Sequence, residues 1–215
     1  MIFIRYLSSV ASQSRKAQNL RAARRHAWRT LLVAATFSAS SIATSSQVTF
    51  GQVGRAETIG AALFDAISAN ELAEPTDIIN FGALQRAIDA QKCPGTTVSF
   101  VLLPNRRHAT ELYAVSSVAT GGKLVVGRHF KTTVHEGAAD LAGLSASTKS
   151  CLILPIDPRA AGLFITELMA AEPTEFHVLE ARLHRIQLIV EAGGEVWAIN
   201  AAGRVQKIEQ PFPHS

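Results

Sequence analysis

The first carboxylate of the chain is Glu57, and seven basic side chains precede it within residues 1–43: Arg5, Arg15, Lys16, Arg21, Arg24, Arg25 and Arg29. An apolar run, Leu31 to Ala43, comes after the last of them. A bilayer-spanning helix needs about 20 predominantly apolar residues, and this run is shorter and rich in Ser and Thr. A positive n-region, a short apolar stretch and small residues at Ser41 and Ala43 have the form of an export signal cut before Thr44. The core is therefore expected to be built from residues 44–215, with no stable membrane span after cleavage.

The stretch ARRHAWR resembles the twin-arginine signal pattern, with Arg24, Arg25 and Arg29 in place and Ala27 where a bulkier apolar residue is usual. That implies a periplasmic or secreted protein. An acid-free leader rich in Arg and Ser also suits mitochondrial import, which stands as the alternative.

The leader also explains the charge. The whole chain carries 21 Lys and Arg against 17 Asp and Glu, a formal +4. Residues 44–215 keep 14 of those cations and all 17 acids, a net −3. Phosphate neutralisation needs clustered cations that persist in the working protein, so nucleic acid is excluded as a partner. A protein or a small-molecule ligand in the cell envelope is expected instead, and no motif calls for a cofactor. The only cysteines, Cys93 and Cys151, both lie beyond the leader, and an even count in an exported domain points to one disulfide.

Residues 44–56 are polar and contain Gly and Ser, which reads as a flexible tether. Residues 57–215 read as a single α+β domain, with about three helices and a mostly antiparallel sheet. Ile59, Ala62, Leu63, Ala66 and Ile67 share a helical stripe, which predicts a helix over 58–72 that Pro75 stops. Asn80 can cap a second helix, carrying Phe81, Leu84 and Ile88, that ends before Cys93-Pro94-Gly95. A third starts at Pro173-Thr174 and runs through Arg185, with Phe176, Leu179 and Leu183 toward the core.

Residues 97–103 and 150–155 read as buried strands. ELYAVSSVA and KLVVGRHFKTTV flank Thr120-Gly121-Gly122 and predict a hairpin. In its second arm Leu124, Val126, Phe130 and Val134 share one face, which leaves His129 and Lys131 on the other. RIQLIVEA, EVWAIN and RVQKIE, joined by two short turns, predict a C-terminal three-stranded meander. VLLPNRRHATELYA and LILPIDPRAAGLFI align at an offset of 51, with Leu103/Leu154, Pro104/Pro155, Ala109/Ala160 and Leu112/Leu163 identical. Four identities in fourteen positions are weak evidence for a repeated strand–turn–strand unit, and chance similarity between two strand ends is the better reading.

Motifs for chemistry are incomplete. His135-Glu136 lacks the second histidine of HExxH at Ala139, and Gly143–Ser147 ends in Ser where a nucleophile elbow needs Gly. Thr120-Gly121-Gly122-Lys123 lacks the upstream Gly and following hydroxyl of a phosphate loop, and no GxGxxG occurs. His177, Glu180 and His184 share one flank of the third helix, which makes them candidate metal ligands. Residues seven apart rise about 10.5 Å, so both imidazoles cannot readily hold one ion, and a solvated helix edge is the ordinary reading. Arg106 and Arg107, next to His108 on a strand-end tip, are candidates for an anionic ligand, with His129 as a third ligand-binding candidate. These features predict an exported, non-catalytic binding domain. The rival is an exported hydrolase or metal-dependent enzyme assembled from His129, His135, His177, Glu180 or Ser145.

Overall fold

A computed structural model describes residues 6–8, 51–105, 109–119, 121–157 and 159–209. The chain forms a mixed α+β fold, with three α-helices and largely antiparallel sheets among the described residues. The first helix, α1, spans Gln52–Ser68. It begins inside the segment expected to be a tether, because Ala56 is an anchor: 3% exposed, it joins a core cluster with Val178 and Leu188. Polar composition does not make a linker when one small apolar side chain in the stretch finds a buried seat.

Helix α2 spans Phe81–Asp89, with Asn80 at its N-cap position. The Asn80 side chain does not cap it. It donates from Nδ2 to the Ala139 carbonyl and accepts the Ala139 N–H at Oδ1, both at 2.8 Å, as a strand partner would. Two bonds to a long-range partner outcompete one local cap.

Strands β2 (Thr96–Pro104) and β3 (Thr110–Val118) pair antiparallel along their full length. The expected hairpin across Thr120–Gly122 does not form. Its second arm splits into β4 (Lys123–Val125) and β5 (Phe130–His135), and only β5 pairs with β3. The break falls at Gly127-Arg128, where Arg128 adopts a left-handed φ of 61°. A Cβ at Gly127 would overlap the Ser150 carbonyl and the Thr148 hydroxyl, so only glycine lets that crossing segment pass. The second sheet is completed by β6 (Ala138–Ala139) and β7 (Ser145–Ala146), both on β5.

Strand β4 instead pairs with β8 (Ile153–Pro155). Strand β9 (Ala160–Glu167) lies parallel to β10 (Leu188–Ala192), which continues through β11 (Glu195–Ile199) and β12 (Val205–Ile208) as the expected antiparallel meander. The aligned segments at offset 51 are thus not a repeat: β2 pairs with β3, whereas β8 and β9 go to different sheets. Tyr6–Ser8, inside the expected leader, forms β1 and pairs antiparallel with β9.

Burial on both faces of β3 organises the molecule. Leu112 and Ala114 pack with Leu84 and Ile88 of α2, while Tyr113 and Val115 pack with Leu63 of α1 and Leu179 of α3 (Glu175–His184). The other face of α3 sends Val178 and Ala181 into the cluster of Ile165, Leu188 and Val190. Helix α3 therefore lies between two sheets rather than on the surface. At about 25 cal/mol per Å² of apolar surface, each fully buried Leu or Ile contributes about 1.5–3 kcal/mol to this arrangement.

The Cys93–Cys151 disulfide is formed, with Cα atoms 5.4 Å apart. Among the described residues, no helix is long and apolar enough to cross a membrane.

Candidate functional site

Because α3 is sandwiched, the flank expected to be a solvated edge is interior. His177 is 6% and Glu180 5% exposed, and Glu167 at the end of β9 is 7% exposed. His129 is fully buried at 0%, not on the solvent side of its strand with Lys131. The left-handed residue before it turns the chain, so the period-2 alternation does not carry through positions 126–130. These side chains, with Phe176 and Leu188, line a small cleft of about 10 Å³, room for about one water.

Each imidazole is held by the backbone. His129 Nδ1 accepts the Ser116 N–H at 3.1 Å, so the ring proton sits on Nε2, 2.9 Å from the Val125 carbonyl oxygen. The main chain of His129 is strapped to Ser147, with N to Oγ at 3.2 Å and the Ser147 N–H donating to the His129 carbonyl at 2.7 Å. Next to it, the Arg128 N–H donates to Thr148 Oγ1 at 3.2 Å. The segment doing the strapping ends at Cys151, so the disulfide fixes the strap that fixes the histidine. His177 Nδ1 accepts the Thr174 N–H at 3.0 Å, which replaces the carboxylate of an ordinary capping box with an imidazole.

The acids stand close without direct hydrogen bonds to these rings. Glu180 Oε1 is 3.6 Å from His129 Nε2, and Glu167 Oε2 is 3.6 Å from His177 Nε2. Glu167 Oε1 accepts the Met169 N–H at 2.6 Å. Burial dominates the electrostatics. It depresses the His129 pKa despite the opposing charge of Glu180, and it brings His177 down to about 4, helped by the like charge of a protonated His129. Both rings are neutral near pH 7.

His184 ends α3 and reaches the surface. Its Nε2 is 3.1 Å from Glu180 Oε2, close enough for an ion pair, yet that oxygen receives no aligned hydrogen bond. Both residues line a surface pocket of about 260 Å³ between α3 and the β2–β3 pair, with Ser99, Ser117, Lys123 and Leu183 also in its wall.

Of the residues singled out in the sequence, His129, His177, Glu180 and His184 converge, although His177 and His184 face different spaces. His135 and Ser145 do not join them: both are exposed on the β5–β7 side, where Ser145 Oγ donates to the Lys131 carbonyl at 3.3 Å. Arg106 and Arg107 lie outside the described residues. Among the described residues, no three His, Cys, Asp or Glu side chains gather as ligands for one ion.

Glu167 was missed in the sequence, yet a signal exists: it falls two and four places after Ile165 and Leu163, on the buried face of β9. A second polar hub at Glu111 was missed as well. It accepts from Arg55 at 2.6 Å and Asn105 at 2.9 Å on Oε1, and from the Tyr113 hydroxyl at 2.5 Å on Oε2. Burial and the neighbouring carboxylates raise the Tyr113 pKa, so the phenol stays protonated as a donor. Comparison with protein-family models, curated proteins and solved structures gives no match to this chain.

Proposed function

We propose that this chain is an exported, non-catalytic domain that binds a protein or small ligand in the periplasm or outside the cell. The basic, acid-free leader supports export, and the Cys93–Cys151 bridge is the kind of bond that persists in an oxidising compartment. The excess of acid after residue 43 argues against nucleic acid as the partner.

One observation carries the choice of binding over catalysis. The converging His129 and His177 are buried beside a cleft with room for about one water, and each has its Nδ1 committed to a backbone N–H. A general acid or base must reach a substrate proton within hydrogen-bond distance, and these rings face none that a substrate could bring. Concave surface remains in the pocket beside His184.

Two measurements test the reading. N-terminal sequencing of the protein from a cell-envelope fraction is expected to begin near Thr44, and a retained Arg24-Arg25 would defeat export. A p-nitrophenyl ester assay is expected to show no turnover. Hydrolysis that disappears in His184→Ala would replace the binding reading with the hydrolase one.

A further inference from the structure

The edge of β9 turned away from β10 is only partly claimed. Strand β1 pairs with it antiparallel, opposite Ala160 and Leu163, and the register stops there while β9 runs on to Glu167. Successive residues of a strand turn their main-chain groups to opposite sides. The Leu163 N–H donates to the Gln187 carbonyl on the β10 side at 2.9 Å, so Thr166 turns its N–H and C=O the other way. Among the described residues, no strand stands opposite Thr166 on that side. A cleft of about 330 Å³ opens there, walled by residues 165–169 on one side and by Val126 and residues 148–150 on the other. Leu168 and Met169 end the first wall, and at 66% and 52% exposed they are apolar surface left in water.

We propose that β9 and this cleft form an acceptor site for an extended, apolar segment of a partner protein, which adds antiparallel to the β9 edge along the line that β1 begins. The proposal rests on the binding reading above and names the form of the partner. Strand addition to an open edge draws affinity from main-chain hydrogen bonds and selectivity from pockets for alternate side chains. Both parts are present. Thr166 offers a main-chain donor and acceptor, and Val126, Ile165, Leu168 and Met169 offer apolar wall to every second side chain of the segment. The β1 pairing sets the direction: this edge already holds an antiparallel strand, and a segment on the same line reaches residues 164–167 without a new orientation. A second copy of the chain is the poorer occupant. The cleft has a wall on each side, which leaves a slot for one strand rather than for the edge of another folded sheet. Strand β1 is then a built-in competitor that the partner's segment displaces.

Fluorescence anisotropy of a labelled peptide with the sequence IFIRYLS, that of residues 2–8, tests the assignment. The receptor is the full chain, either unaltered or with β1 disabled by Tyr6→Pro and Leu7→Pro, because proline cannot donate to a strand ladder. The disabled chain is expected to bind at least about tenfold more tightly, since its site is not already filled. Methylating the peptide nitrogens of Ile4 and Tyr6, or instead those of Arg5 and Leu7, should abolish binding in one set and spare the other. A paired strand presents only alternate N–H groups to its neighbour. Leu168→Lys with Met169→Lys changes exposed side chains, so folding is not at stake, and it should weaken binding roughly tenfold. Equal binding by the disabled and unaltered chains, tolerance of both methylated peptides, or full binding by the Lys variant would each overturn the proposal. So would a disabled chain that dimerises and does not give up its second copy to the peptide. If the peptide fails while another protein or small molecule binds without turnover, the strand site falls and the binding reading stands.

Discussion

The Phe176 ring lies flat against the His129 imidazole, centroids 4.8 Å apart and planes 14° from parallel. The stack joins α3 to the segment between β4 and β5, and it places the imidazole where Ser116 and Val125 can bond its edges. His129 is therefore a structural residue of the core. Replacing it with Ala removes a buried ring and strands a backbone N–H and a backbone carbonyl, at a cost of about 3–5 kcal/mol. Urea denaturation should show this as a lower midpoint. A loss below about 1 kcal/mol would mean that the site collapses or admits water more easily than the packing implies.

Acid should weaken the fold well above the range in which carboxylates protonate. His177 has a folded-state pKa of about 4 against about 6.5 when unfolded. Above pH 6.5 both states hold it neutral and it has no effect. As pH falls from 6.5 toward 4 the unfolded chain takes up the proton first, so stability is lost across that window. The groups facing the ring are Glu167, His129 and, across the cavity, Glu180. His129 shifts in the same direction and adds to the effect. At pH 5 the loss from His177 alone is about 2 kcal/mol. Urea midpoints from pH 7.5 to 5 should fall, and His177→Gln should flatten the slope.

The same residues show where sequence periodicity stops being informative. Pattern reading found the disulfide, the meander and the start of α3 because each depends on local chemistry: cysteine count, turn glycines, and Pro and Thr before an amphipathic run. Helical spacing groups His177, Glu180 and His184 on one flank of α3, and of these His177 and Glu180 line one buried cleft while His184 lines another pocket. What that flank faces depends on a second sheet arriving from β9 to β12, and no helical wheel contains that information. The split of β4 from β5 depends in the same way on the 148–150 segment crossing Gly127.

Loss of the disulfide should cost about 4 kcal/mol, the loop-closure value for the segment between residues separated by 58 in sequence. The effect should be regional as well as global. Cys93 Sγ lies 3.8 Å from the Gly127 carbonyl oxygen, and the residues before Cys151 strap Arg128 and His129. In a Cys93→Ser, Cys151→Ser variant, amide exchange at Arg128, His129 and Ser147 should rise more than at the β10–β11 pair. Uniform acceleration would show that the bridge acts only on the unfolded chain.

Gly60 should resist replacement even though it sits within a helix. Alanine normally improves a helix interior by about 1 kcal/mol over glycine. At this position a Cβ would meet Val178 Cβ and Cγ1 at 2.6 Å and the Glu175 carbonyl oxygen at 2.8 Å, because α1 and α3 cross here with their backbones close together. Gly60→Ala is expected to destabilise the protein by about 1–3 kcal/mol, measured by thermal or urea unfolding. A stabilised variant would show that the two helices can move apart freely.

Strand β1 has a consequence for processing. Tyr6 and Ser8 stand opposite Leu163 and Ala160 at the margin of the β9–β12 sheet. Cleavage after Ala43 would also strip that margin and leave main-chain donors and acceptors of β9 unclaimed. Naked sheet borders recruit other strands. Forms with and without residues 1–43 would then differ in how readily they self-associate, with the N-terminal segment serving as a sheath for as long as it stays attached.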